Sequence, residues 1–269
     1  MPAQFESFAF GEDVFPATTV TVPKPAGTVK DDLLIAWGQG TGSGAWTLPI
    51  GWTKSFQKTN TSREGFLGNL VAGLSEPANY IFTFAGRSGD FIVAIMRFSG
   101  VDPSNPIDAE QLFAQTDSLS PIEFPCPPIN TTVANTLIVC LDMADRGGTI
   151  ITGSIPAGGF TERLDVNAPL GFQPSIRGYT KDTLQADPGA TGATATAVIV
   201  HAPDTGTHVG FVGTLAIASL LGGGGGLMGE PMLRREVMER SMRVPIPRGT
   251  RLKNPVRRIE DPWGELKRK

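Results

Sequence analysis

The 269-residue sequence has little of the chemistry that enzymes use, with only two cysteines and two histidines. Two isolated cysteines, Cys126 and Cys140, exclude a disulfide-dense scaffold, and we expect both thiols to be unpaired in a reducing cytosol unless strands bring the two together. The histidines, His201 and His208, flank a Pro/Gly loop at a spacing that matches no recognised metal site, so we predict that they end a hairpin. Nucleophile-elbow, phosphate-loop and His-Glu-x-x-His motifs are missing. We therefore predict no enzyme, and no catalytic, metal or cofactor-binding residues.

Long hydrophobic runs are missing as well. The longest apolar stretch, 211–221, is interrupted by Gly213 and Thr214 and is too short to span a bilayer. Residues 1–10 lack the basic region and apolar run of a secretory signal. We expect no membrane insertion. In contrast, 33 glycines and 22 prolines favour many short segments joined by turns.

Short apolar or alternating segments follow one another through the first half of the chain. Turn-forming residues separate them at intervals of about 8–12 residues, which is typical of an all-β sandwich or barrel. The predicted strands are 18–22, 33–37, 51–56, 66–71, 80–84 and 91–98. The glycine-rich segment 38–44 is predicted to be a loop that exposes Trp46. Asp142 and Asp145 are predicted to lie in a solvated turn that could bind a cation.

The second half repeats the order of the first. Asp32-Leu-Leu-Ile-Ala matches Asn135-Thr-Leu-Ile-Val, and the Pro-x-Gly-aromatic-Thr element at 49–53 recurs at 156–161 with one added glycine. The segment beginning at Phe91 matches the one beginning at Phe211. We predict an all-β fold of two tandem antiparallel β-sandwich (jelly-roll-like) repeats, 1–101 and 102–221, and we expect the matched aromatic residues to be core residues.

A segment of different composition follows. Residues 222–226 are five glycines, predicted to be a hinge, and 227–269 are predicted to form a basic, extended C-terminal arm, compatible with a short helix near 231–242. From Gly222 onward twelve Lys and Arg stand against six Asp and Glu, so this part carries a net charge of +6 and the rest −9. The arm cannot bury enough apolar surface to order itself, so we expect it to lie on another protein chain. Its predicted partner-binding residues are Met232, Leu233, Arg234, Arg235, Arg240, Arg243, Arg248, Arg251, Arg257, Arg258 and Trp263.

Four elements give the chain a resemblance to a known module. They are 31–36 (DDLLIA), 49–53 (PIGWT), 75–84 (SEPANYIFTF) and 100–108 (GVDPSNPID). With these, the chain resembles a β-sandwich module of tailed-bacteriophage structural proteins, which include minor tail, fibre and decoration proteins. The resemblance covers residues 20–221 and brings no catalytic residues. It implies a virion component that is synthesised and assembled in the host cytoplasm.

The leading hypothesis is a non-enzymatic, tail-associated structural protein (a minor tail or fibre component) with an exposed body, whose arm docks on other virion proteins. Its expected partners are tail or capsid subunits and copies of itself. A capsid decoration protein is one alternative. A carbohydrate-binding module is the other, in which an exposed Trp46 would stack on a host-surface glycan. Nucleic acid is disfavoured as a partner of the arm, because its arginines alternate with six acidic residues and with the methionines common at protein interfaces.

Overall fold

The computed structural model describes residues 1–13, 16–117, 122–146, 151–155, 159–167, 173–191, 196–201 and 208–220. The chain divides into two compact units, residues 1–225 and 226–269. All described residues belong to the first unit, which we call the body. The predicted glycine hinge, the short helix and the basic arm lie outside the described residues.

The body confirms the all-β prediction, since its described residues lie almost entirely in strands and the turns between them. The described residues contain no helix that is long and apolar enough to cross a membrane. The strands are β1 (Gln4–Asp13), β2 (Thr19–Pro23), β3 (Leu33–Gly42), β4 (Trp46–Thr47), β5 (Thr53–Asn60), β6 (Arg63–Val71), β7 (Asn79–Phe84), β8 (Arg87–Ser99), β9 (Ile107–Asp117), β10 (Ile122–Pro125), β11 (Asn130–Thr131), β12 (Leu137–Arg146), β13 (Ile151–Ile155), β14 (Phe160–Asn167), β15 (Gln173–Lys181), β16 (Gly189–Ala190), β17 (Thr196–His201) and β18 (His208–Ile217).

These strands form antiparallel sheets, of which two have five strands. One has the order β1-β8-β3-β6-β5, and the other has the order β14-β15-β12-β18-β9. Two three-stranded sheets have the orders β2-β7-β4 and β10-β17-β13, and β11 pairs with β16. Each five-stranded sheet is therefore built from strands of one half of the chain.

Strand β3 shows how the apolar runs use both faces of a sheet. Leu33, Ile35 and Trp37 belong to a buried cluster that also contains residues of the second five-stranded sheet, such as Val139 and Leu141. The alternate residues of β3 belong to a different cluster, shared with the three-stranded sheet of the first half. A third cluster lies on the other face of the second five-stranded sheet. Alternation along a strand thus places one central cluster between two outer ones.

The six strands predicted in the first half are confirmed as β2, β3, β5, β6, β7 and β8. Strand β1 was not predicted, because its segment has few β-branched residues. The predicted loop at 38–44 is wrong in its first part, since β3 continues to Gly42. A Cβ built on Gly38 would lie 2.8 Å from the ring of Phe66, and one on Gly40 would lie 2.9 Å from that of Phe84. These glycines let aromatic rings pack against the strand backbone.

The structure also corrects the predictions for cysteine and histidine. Cys126 and Cys140 form a disulfide with their Cα atoms 6.0 Å apart, so the predicted unpaired thiols are wrong. The bond joins the segment after β10 to the buried strand β12, which brings the two cysteines together although 14 residues separate them. His201 ends β17 and His208 begins β18, and these strands belong to different sheets, so the predicted hairpin is wrong.

Candidate functional site

The predicted exposure of Trp46 is wrong, because only 1% of this residue is exposed. Its indole stacks on the ring of Phe84 with centroids 4.7 Å apart and 13° between the planes, and the ring of Phe66 also lies 4.7 Å away. The indole Nε1 donates a hydrogen bond to the carbonyl of Glu64 at 3.3 Å. No face of the ring is left for a sugar, so Trp46 is a core residue. The arm residues from Met232 to Trp263 lie outside the described residues.

A row of charged side chains crosses the second five-stranded sheet. The strand ladders place Arg177 opposite Asp142 on one side and Asp165 on the other. The Nε of Arg177 lies 3.0 Å from Oδ1 of Asp165, and its Nη1 lies 3.8 Å from Oδ2 of Asp142. Nη1 also donates to Oγ of Ser175 at 3.3 Å. Both Asp142 and Arg177 are completely buried.

The solvated turn that we predicted around Asp142 is wrong. Asp142 lies inside β12 and not in a loop, and within the described part neither of its carboxylate oxygens accepts a hydrogen bond. Burial raises the pKa of Asp142 to about 6, although Arg177 acts in the opposite direction. Asp142 and Arg177 are closed off from solvent and Asp165 is partly exposed at the outer strand, so this row can hold three strands in register but offers no space for a substrate. The described residues contain no group of three or more His, Cys, Asp or Glu that could hold a metal ion.

Three parts of the chain meet at one end of the body. The amide of Ala3 donates to Oγ of Ser219 at 2.9 Å, and Ser219 Oγ donates to the carbonyl of Asn135 at 2.5 Å. Val101 forms an isolated bridge with Ser219, and the amide of Leu220 donates to the carbonyl of Gly100 at 2.9 Å. The N-terminus, the join between the two halves and the last described residues are therefore fixed to one another at this end, which we call the terminal pole.

A groove of about 560 Å³ lies at the terminal pole. Three of its lining residues are exposed apolar side chains, Met1 (73%), Val29 (59%) and Leu220 (54%), and buried Val101 also lines it. Four of the five charged side chains of the lining form two pairs. Arg97 Nε lies 2.6 Å from Oδ2 of Asp32, and Lys30 Nζ lies 3.5 Å from Oδ2 of Asp31. The fifth, Glu6, accepts hydrogen bonds from two neutral side chains. The groove thus combines apolar surface with mostly paired charge, which suits contact with a protein better than binding of a charged small molecule.

Sequence reasoning missed Arg177 and the terminal pole for the same reason. Both depend on pairing between segments far apart in the chain, and the segment around Arg177, QPSIRGYTK, is too polar to signal a buried arginine. Comparison with protein-family models, with curated proteins and with solved structures finds no match to this chain.

Proposed function

We propose that the body consists of two copies of one antiparallel, jelly-roll-like β-sandwich. The order of strands supports this. Pairing β1, β3, β5, β6 and β8 with β9, β12, β14, β15 and β18 gives the same neighbours in both five-stranded sheets. Pairing β2, β4 and β7 with β10, β13 and β17 does the same for the three-stranded sheets. The strands β11 and β16 have no counterpart among the described strands of the first half.

Backbone irregularities at corresponding places also support the repeat. Asp31 and Asn135 both have positive φ, 70° and 57°, shortly before β3 and β12 begin. Gly51 and Gly159 have φ of 90° and 81° before β5 and β14. A bulge falls between Lys54 and Phe56 in β5 and between Glu162 and Leu164 in β14. Unrelated sheets have no reason to place bulges at the same points, whereas copies of one sheet retain them.

For the whole chain we propose a structural role in a tailed phage particle, associated with the tail. The observation that carries this proposal is the terminal pole. There the last described residues of the body are held by backbone hydrogen bonds to the join, and the glycine segment 222–226 and the basic arm 227–269 follow in the sequence. An acidic body that is followed in the sequence by a basic arm suits anchoring on a neighbouring subunit. A repeated scaffold whose cores are filled suits a structural role.

A truncation tests the anchoring. Cells infected by the phage that lacks the gene are supplied with either the full chain or a chain that ends at Leu221. We expect the full chain in purified particles and a loss of at least about tenfold for the shortened one, because about 1.4 kcal/mol of lost binding has this effect. Circular dichroism and melting of the shortened chain control for misfolding. Normal incorporation of a folded, shortened chain would overturn the proposal.

A further inference from the structure

Strand β1 presents an edge of the body that no described strand covers. It is the outermost strand of its sheet, and only β8 pairs with it among the strands that the structure describes. Its ladder runs from Gln4 to Asp13, and the backbone N–H and C=O groups of alternate residues point away from β8 along it. An open edge of this length carries backbone donors and acceptors that can pair with an added strand.

The side chains of β1 add an apolar surface to this edge. Phe8 and Phe10 are 41% and 39% exposed. They pair with Met96 and Ala94 of β8, both members of the central cluster, so the two rings lie on the same face of the strand. Glu12 follows on that face, opposite Ile92. The pattern along one face is therefore aromatic, aromatic, acidic.

Glu12 is in an environment that suits a cationic neighbour. Its Oε2 is buried and has no hydrogen-bond partner within the described part of the chain. Burial raises the pKa of Glu12, and the charge of Asp90 raises it further. A positive charge beside this carboxylate would offset the repulsion from Asp90.

The β1 strand of a second copy is a poor occupant of this edge. If two β1 strands paired antiparallel about Ala9, Glu6 of each copy would stand opposite Glu12 of the other. Like charges directly opposite each other across a ladder destabilise the pairing. The body as a whole is also acidic, with a net charge of −9 over residues 1–221. The charge of the edge therefore favours a basic partner.

We propose that the outer edge of β1 binds one extended segment of a neighbouring protein by strand addition. Alternate residues of that segment are apolar over Phe8 and Phe10, and a Lys or Arg lies beside Glu12. This surface belongs to the body alone, so the proposal does not depend on the phage particle or on the arm.

A peptide experiment with the full-length protein tests this proposal. The probe is a fluorescent ten-residue peptide of alternating Val and Lys, and its binding is measured by anisotropy at near-physiological salt. We expect Phe8→Ser/Phe10→Ser to weaken binding at least about tenfold, which corresponds to about 1.4 kcal/mol of lost apolar contact. Phe113→Ser is the matched control, because Phe113 is 43% exposed on the edge strand of the other five-stranded sheet. It should change affinity by less than about twofold.

Two further measurements distinguish strand addition from binding by charge alone. A peptide of the same sequence with N-methyl groups along one edge cannot donate to β1, and we expect its binding to be lost. This measurement needs no protein variant, so it tests strand addition even if Phe8→Ser/Phe10→Ser fails to fold. We expect Glu12→Gln to weaken binding and to reduce its salt dependence. Binding unchanged by N-methylation, no binding at all, or dimers of the chain that Phe8→Ser/Phe10→Ser dissolves would each overturn the proposal.

Discussion

Gly65 of β6 packs against the ring of Phe211 of β18, so closely that a Cβ built on Gly65 would lie 2.6 Å from two ring carbons. The two residues belong to different five-stranded sheets, and the ring of Phe211 lies in the cluster that both sheets share. This contact makes the two halves of the body dependent on each other. A side chain at position 65 must either displace the ring or separate the sheets.

We therefore expect Gly65→Val to lower the free energy of unfolding by about 1–3 kcal/mol, the usual effect of overpacking a core. Urea unfolding followed by tryptophan fluorescence measures this, since Trp37 lies in the same cluster. Gly73→Ala is the control, because Gly73 is exposed and a Cβ at this position would meet only the flexible end of Glu76, at 3.3 Å. Equal, small effects of both substitutions would mean that the sheets do not pack as described.

Trp46 should act as a core residue and not as a sugar platform. We expect Trp46→Ala to cost about 3–5 kcal/mol, because it empties a site between stacked aromatic rings. Trp52→Ala should cost less, since Trp52 is only half-buried and meets Tyr80 and Phe82 by its edge. Chemical unfolding of both variants measures the difference. A stable Trp46→Ala protein that loses binding on a glycan array would contradict this account.

The pKa of Asp142 predicts how stability depends on pH. Its pKa is raised from 3.8 to about 6, so the folded state disfavours the ionised carboxylate. The contribution of Asp142 to stability is therefore complete below pH 3.8 and declines as the pH rises to about 6. Asp142→Asn removes this decline. We expect the unfolding free energy of Asp142→Asn, relative to the native chain, to rise by up to about 3 kcal/mol between about pH 4 and pH 7. A difference that is constant with pH, or that has the opposite sign, would contradict the burial of an ionisable Asp142.

The disulfide between Cys126 and Cys140 predicts a dependence of stability on reductant. It closes a loop with a sequence separation of 14 residues, for which the loss of chain entropy corresponds to about 3 kcal/mol. We expect dithiothreitol to lower the melting temperature of the native chain and to leave that of Cys126→Ala/Cys140→Ala unchanged. Alkylation under non-reducing conditions, followed by mass spectrometry, should find neither cysteine alkylated. Two alkylated cysteines in oxidised, folded protein would contradict the pairing.

Local patterns predicted the strands of the first half because alternation and β-branched residues are properties of short segments. They failed at Gly38–Gly42, since a glycine within a strand is explained only by the ring that packs on it, and that ring comes from elsewhere in the chain. The disulfide and the Asp142–Arg177–Asp165 row were missed for a related reason. Each needs the register between strands, which no single segment contains.

The proposed repeat shows how far a sequence match can go. The match of Asp32 with Asn135 is one residue out of step, because β3 begins at Leu33 and β12 at Leu137. The match of Phe91 with Phe211 has the same defect, since Phe91 lies in an outer cluster and Phe211 in the central one. The expectation that both are core residues is nevertheless confirmed. A shift of one residue exchanges the two faces of a strand, so the match found the corresponding strands but not the corresponding side chains.

The central claim, a structural protein of a tailed phage particle, is tested most directly by counting the chain in particles. Particles are purified by density gradient, and the number of chains per particle is measured by mass spectrometry with isotope-labelled standards. The account predicts a fixed number, a few to about a few dozen, as expected for a closed tail assembly and far below the hundreds of a capsid lattice. Hundreds of copies would contradict the tail assignment in favour of capsid decoration. Absence from purified particles would contradict the claim as a whole.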